Sequence, residues 1–218
     1  HIGVGKPEWS IFEGTSRREE PRVSFTFEAT KNEREHTLFI RQDDVKQDWT
    51  VTLNKKPIGS LFLMEADLVH TIPIAPNQLL DGQNELSIYT KFPDDILIHS
   101  ISLADDSKTN IFTSGPVRID VIDTRDNALP ARITILDENG ALAAFVTQGA
   151  TNVAVRPGVI YSPDGKATVS LRPGSYTIYA TRGPEYSLAR ETVTVAAVEV
   201  NVRLTLNREV DTTGWVSS

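Results

Sequence analysis

Period-two alternation limits what this chain can fold into more than any other feature. Apolar and polar side chains alternate over residues 23–27, 36–40, 49–53, 85–89 and 96–101. Successive strand side chains point to opposite faces, so each run reads as a strand with one face buried. Turn formers separate the runs: Asn54 to Pro57, Asp81-Gly82-Gln83-Asn84 and Pro93-Asp94-Asp95. Helical signal is nearly absent; the one candidate, 59–68, fits a strand followed by a loop equally well. A polar stretch, 104–110, then runs toward Gly115-Pro116 and marks a domain boundary. A second strand series follows over 117–122, 132–136, 167–171, 175–181, 191–195 and 199–206. Its turns Asp137-Glu138-Asn139-Gly140 and Ser162-Pro163-Asp164-Gly165 carry Gly where a positive φ is cheap. Residues 144–157 have little regular pattern and read as a long loop. The expectation is an all-β chain of two tandem antiparallel β-sandwiches, 1–114 and 115–207, with 208–218 as a linker.

Composition narrows the function classes. At 218 residues the chain is long enough for two real cores. Its net charge is -7, with -6 on residues 1–114 and -1 on 115–218, so neither half carries the basic patch that nucleic acid or an anionic membrane would require. Cysteine is absent, which excludes disulfides and thiolate metal sites. The apolar runs fall far short of the roughly 18–20 residues that a membrane-spanning helix needs. The sequence begins at His1, not Met, which reads as a processed or trimmed product.

Three local patterns carry resemblances. In the second half, Val121-Ile122-Asp123 leads to Leu129-Pro130-Ala131-Arg132-Ile133, followed by Asp164-Gly165-Lys166-Ala167 and Leu171-Arg172-Pro173-Gly174-Ser175-Tyr176. This resembles the carboxypeptidase-regulatory-like (transthyretin-like) sandwich. In the first half, the runs from Trp49 to Asn54, Pro57 to Gly59 and Leu79 to Ile88 are similar to the galactose-binding-like jelly roll, with Lys55 where that fold's turn usually has Gly. The stretch from Gly158 to the closing Asp211-Thr212-Thr213-Gly214-Trp215 resembles the segment before the catalytic domain of PHP-type (polymerase and histidinol phosphatase) metallohydrolases of the CehA/McbA kind. In that family such a Gly-Trp is followed by Asp-x-His-x-His, a run this chain does not contain. The resemblance implies an exported bacterial protein, periplasmic or extracellular. It also implies a non-catalytic accessory role here, with the metal-dependent hydrolase domain C-terminal to this chain as its partner.

Candidate chemistry is sparse. His1, His36, His70 and His99 show neither His-x-His nor His-Glu-x-x-His spacing, so no catalytic metal site is expected. No Gly-x-Ser-x-Gly elbow occurs, and Gly3-Val4-Gly5-Lys6 is too short for a phosphate loop. The acidic pairs Asp43-Asp44, Asp94-Asp95 and Asp105-Asp106 are oxygen donors of the kind Ca2+ takes, and the jelly-roll resemblance implies one structural Ca2+ as the sole cofactor to consider. Sugar recognition needs an aromatic face with hydrogen-bonding groups beside it. Phe92, Trp49 and Arg41 are the candidates for a glycan contact, although the alternation around Trp49 also suits the core; the alternative function is then a carbohydrate-binding module whose first sandwich holds a glycan. Tyr161, Arg182, Tyr186 and Trp215 are the candidates for an interdomain contact, because aromatic residues with Arg are what protein interfaces favour.

Overall fold

A computed structural model describes residues 1–3, 20–113, 115–149, 152–212 and 214. The chain is all-β: among the described residues one four-residue helix, Lys108–Ile111, accompanies the strands. No helix among the described residues is long and apolar enough to cross a membrane. The chain divides into two compact units, His1–Asn110 and Ile111–Ser218, and each is a pair of packed sheets.

In the first unit one sheet has the order β1-β8-β3-β6, built from β1 (Ile2–Gly3), β3 (His36–Asp43), β6 (Leu68–Ile74) and β8 (Asp95–Ala104). The other has the order β2-β7-β4-β5, from β2 (Arg22–Ala29), β4 (Thr50–Leu53), β5 (Lys56–Ser60) and β7 (Gly82–Tyr89). All pairings in both sheets are antiparallel. Alternation sends Val51, Leu53, Leu86 and Ile88 from one sheet, and Leu38, Ile40, Ile72 and Ile74 from the other, into a common core. Region 59–68 is the end of β5 followed by a loop, not a helix. The β4–β5 turn places Asn54 (φ 50°) and Lys55 (φ 68°) both in the left-handed region, as a two-residue type I′ hairpin demands. Asn54 Nδ2 donates to Asn84 Oδ1 at 2.8 Å, joining the two loops that carry the jelly-roll resemblance.

β3 and β8 slip register between Arg41 and Gln42, leaving His99 as the extra residue of a bulge. β3 is buried on both faces over much of its length, Thr37 through Ile40 and then Gln42 and Asp43. Gln42 then clamps the 61–64 loop, donating from Nε2 to Phe62 O (2.6 Å) and accepting from Phe62 N (2.9 Å).

The second unit opposes a five-stranded sheet to a four-stranded one. The first has the order β12-β13-β10-β15-β16, from β10 (Ala131–Asp137), β12 (Ala154–Arg156), β13 (Val159–Ser162), β15 (Gly174–Thr181) and β16 (Ala189–Val195). The second has the order β11-β14-β9-β17, from β9 (Pro116–Ile122), β11 (Val146–Thr147), β14 (Lys166–Ser170) and β17 (Val200–Thr205). Stretch 144–157 therefore is not simply a loop, since it contributes the short strands β11 and β12. One pairing departs from the antiparallel scheme: β17 runs parallel to β9, Val200 opposite Val117 through Thr205 opposite Ile122. The connection from β16 crosses to the other sheet, so β17 arrives beside β9 without forming a hairpin with it. Gly165 (φ 73°) closes the turn before β14; a Cβ there would lie 2.4 Å from Leu129 O and 2.5 Å from Val121 O.

Candidate interaction surface and a buried charge cluster

The loop between β15 and β16 is the best-organised exposed feature of the second unit. Arg182 donates from Nη1 to Pro130 O at 3.0 Å, and its guanidinium lies 5.3 Å from the centroid of the Tyr186 ring. That arrangement holds both side chains in place by a hydrogen bond and a cation–π contact. Glu185 ties the loop to the following chain. Its carbonyl accepts from Glu209 N (2.8 Å), and its carboxylate accepts from Thr212 Oγ1 (2.7 Å) and pairs with Arg208 (3.1 Å). Ser187 N also donates to Asn207 O at 2.8 Å. Residues 208–212, the start of the stretch read as a linker, are thus hydrogen-bonded to the sandwich.

Tyr161 stands on β13, directly opposite Arg132 on β10, and is 43% exposed. A depression of about 740 Å3 runs from Pro130, Arg132, Tyr161 and Pro163 to Arg182 and Gly183. A second, of about 410 Å3, continues from Arg182 and Gly183 to Tyr186 and Arg208. Tyr161, Arg182 and Tyr186 therefore share one continuous surface. Leu188 and Val210, both exposed, flank the loop. Trp215 lies outside the described residues, as does Trp9.

In the first unit, two of the three acidic pairs converge. β3 ends at Asp43 and β8 begins at Asp95, and the two strands are antiparallel neighbours, so the pairs 43–44 and 94–95 meet at one end of the sheet. Lys46 Nζ lies 3.0 Å from Asp44 Oδ2, 3.4 Å from Asp95 Oδ1 and 3.9 Å from Asp94 Oδ1. His1 Nε2 is 3.1 Å from Asp95 Oδ2, and His99 Nε2 is 4.0 Å from Asp43 Oδ2. Asp94 Oδ2 accepts from Trp49 Nε1 (2.8 Å) and Gln47 N (3.1 Å). Burial raises the Asp43 and Asp44 carboxyls above the usual carboxylate range; Asp67 adds repulsion at Asp43, and Lys46 opposes the rise at Asp44.

The third pair does different work. Asp106 Oδ1 accepts from Ser107 N and Asn110 Nδ2, both at 2.8 Å, and these bonds hold its carboxyl below the usual range. Of the glycan candidates, Trp49 is fully buried in the core and offers no stacking face. Arg41 is held by Asp67 through two hydrogen bonds, at 2.8 and 2.5 Å. Phe92 is 52% exposed. His70 is half-buried beside Phe62, and desolvation lowers its pKa, while His36 Nδ1 lies 3.1 Å from Arg34 O. Among the described residues no group of three or more His, Cys, Asp or Glu side chains is suited to hold a metal ion.

Sequence reasoning missed Lys46 and the partnership of Trp49 with Asp94. The signal was the placement of one acidic pair just after an apolar strand and the other just before one. Pairing those two strands would have brought the acids together.

No family model matches the chain, and no curated protein matches it. Among solved structures it is similar to the Bacillus anthracis TIE protein, with 13% identity and a TM-score of 0.32 over 86% of this chain and 37% of that one. It is also similar to the shaft pilin SpaA from Lactobacillus rhamnosus GG, with 8% identity and a TM-score of 0.29 over 85% of this chain and 97% of that one. The chain thus spans little more than a third of the length of the Bacillus anthracis protein. Likenesses at these scores carry no functional argument.

Proposed function

We propose that the chain is a non-catalytic accessory region that positions and stabilises a metal-dependent hydrolase domain of the PHP type lying C-terminal to it in an exported bacterial protein. The observation that carries this reading is the coincidence of two features on the second sandwich. The aromatic and Arg side chains Tyr161, Arg182 and Tyr186 share one surface, and residues 207–212 are pinned to the same loop by Glu185 and Ser187. Preorganised aromatic and Arg groups lose little side-chain entropy on burial and dominate interface energetics. Arg182, already fixed by Pro130 O and the Tyr186 ring, fits that role.

The test begins with the coding sequence beyond Ser218. An Asp-x-His-x-His run there permits the decisive experiment: thermal unfolding of the longer protein with and without Arg182→Ala/Tyr186→Ala. The double variant is expected to lower the melting temperature of the following domain, and an unchanged transition contradicts the docking role. A stop codon directly after Ser218 overturns the reading outright.

A further inference from the structure

The outer face of the five-stranded sheet carries arginines that no neighbouring carboxylate neutralises. Strand register puts Arg156, Val159, Thr134, Tyr179 and Arg190 in one row across all five strands. Directly opposed residues point to the same face, so these five share a side. Tyr161, Arg132 and Thr181 form the next row, two residues along their strands and therefore on the same side. The other side is the core side, where Ile133, Ile160 and Ile178 are fully buried. With strands about 4.8 Å apart, the backbones at Arg156 and Arg190 stand about 19 Å apart, and Arg132 lies on the strand midway.

Pairing separates these arginines from others in the unit. Arg118, Arg203 and Arg208 lie 2.9, 2.6 and 3.1 Å from Glu199, Asp126 and Glu185. Arg132, Arg156 and Arg190 are exposed and make no ion pair among the described residues. Asp137 and Glu191, the two acids within these five strands, register with Tyr176 and Ile178 on the other side of the sheet. Three unpaired guanidinium forks therefore face solvent together in a chain of net charge -7. Two of them have a tyrosine directly opposite, Tyr161 beside Arg132 and Tyr179 beside Arg190.

We propose that this face binds a linear acidic polysaccharide whose sugar rings carry carboxylates. The guanidinium forks match carboxylates, the tyrosine rings offer stacking faces, and the Thr134 and Thr181 hydroxyls can bond sugar hydroxyls. A protein partner fits less well. Protein interfaces are built round an apolar centre, and the one branched aliphatic in these rows, Val159, is only 3% exposed. Nucleic acid is disfavoured by the net charge of -1 on residues 115–218. The first sandwich offers no such surface, since Trp49 is buried and Arg41 is engaged by Asp67. The Arg182–Tyr186 loop lies at the rim of this face, and neither the docking role nor glycan binding requires the other.

The experiment titrates the whole chain by calorimetry with polygalacturonate and polymannuronate oligomers. Methyl-esterified polygalacturonate, poly-L-glutamate and a DNA duplex are the comparisons. Wild type should bind at least one polyuronate, more weakly as NaCl rises, and the neutral ester at least about tenfold more weakly. Arg132→Gln/Arg190→Gln should lose at least about tenfold in affinity, and Tyr161→Ala about threefold to tenfold, with melting temperatures unchanged. Arg118→Gln/Arg203→Gln removes the same charge from paired positions and should bind as wild type does. Absence of binding to both polyuronates overturns the proposal, as does an equal loss in the two double variants. Equal binding of poly-L-glutamate would make the ligand an acidic protein instead, and tighter binding of the duplex would make it nucleic acid; either result also overturns it.

Discussion

Replacing Trp49 with Phe isolates the bond that ties the first core to its charged end. The indole is fully buried, and its N–H donates to Asp94 Oδ2 at 2.8 Å. Phe keeps an aromatic ring in the core but has no donor. A hydrogen bond to a charged group contributes about 1.5–3 kcal/mol, and its loss here falls in the upper part of that range because Asp94 Oδ1 already lacks a donor. The smaller ring leaves a void worth about 1 kcal/mol more. The sum is about 3–4 kcal/mol, or a melting point lowered by roughly 12–30 °C for a unit of this size. Urea unfolding followed by far-ultraviolet circular dichroism measures it without relying on the deleted fluorophore. A double-mutant cycle with Asp94→Ala, which removes the acceptor, separates the bond from the void, with an expected coupling of about 1–2 kcal/mol. A loss below about 1 kcal/mol, or a coupling near zero, refutes the reasoning that Trp49 anchors Asp94.

Two further outcomes follow from local geometry. Lys55 holds φ at 68° in a turn that favours Gly, so Lys55→Gly should stabilise the first unit by about 0.5–1 kcal/mol, read as a higher urea midpoint; a lower midpoint would show that the lysine side chain matters more than its backbone strain. Tyr176 donates its hydroxyl to Arg172 O at 3.0 Å, and burial pushes its pKa up to about 12. The unfolded phenol ionises near 10, so this contribution is intact below about pH 10 and is lost as pH climbs toward 12, by up to about 2 kcal/mol. Tyr176→Phe should flatten that alkaline slope, and a variant with the wild-type slope would assign it to other groups.

Much of the fold was legible because its strands alternate cleanly and its turns use residues suited to positive φ. β6 was not. Its Leu68–Ile74 run contains Pro73, which lacks a backbone N–H to give to a ladder. Pro73 is tolerated because β6 is the edge of its sheet, where a missing N–H need not leave a gap in the ladder. The parallel docking of β17 left no trace in local pattern, since the alternation of a strand does not name its neighbour. The charged cluster shares that cause: Asp43-Asp44 and Asp94-Asp95 are visible as pairs, but their meeting at Lys46 depends on the pairing of β3 with β8. Tyr161, Arg182 and Tyr186 are legible in the sequence as interface chemistry, aromatic rings with an Arg. What the fold adds is that one surface carries all three.

Hydrogen exchange tests the accessory role most directly. The 218-residue chain would be compared with the same chain extended by whatever its gene encodes after Ser218. Docking of a following domain predicts slower exchange at amides 182–187 and 208–212 and around Tyr161 in the extended protein, with the first unit unchanged. Equal exchange at those amides in the two proteins would contradict it.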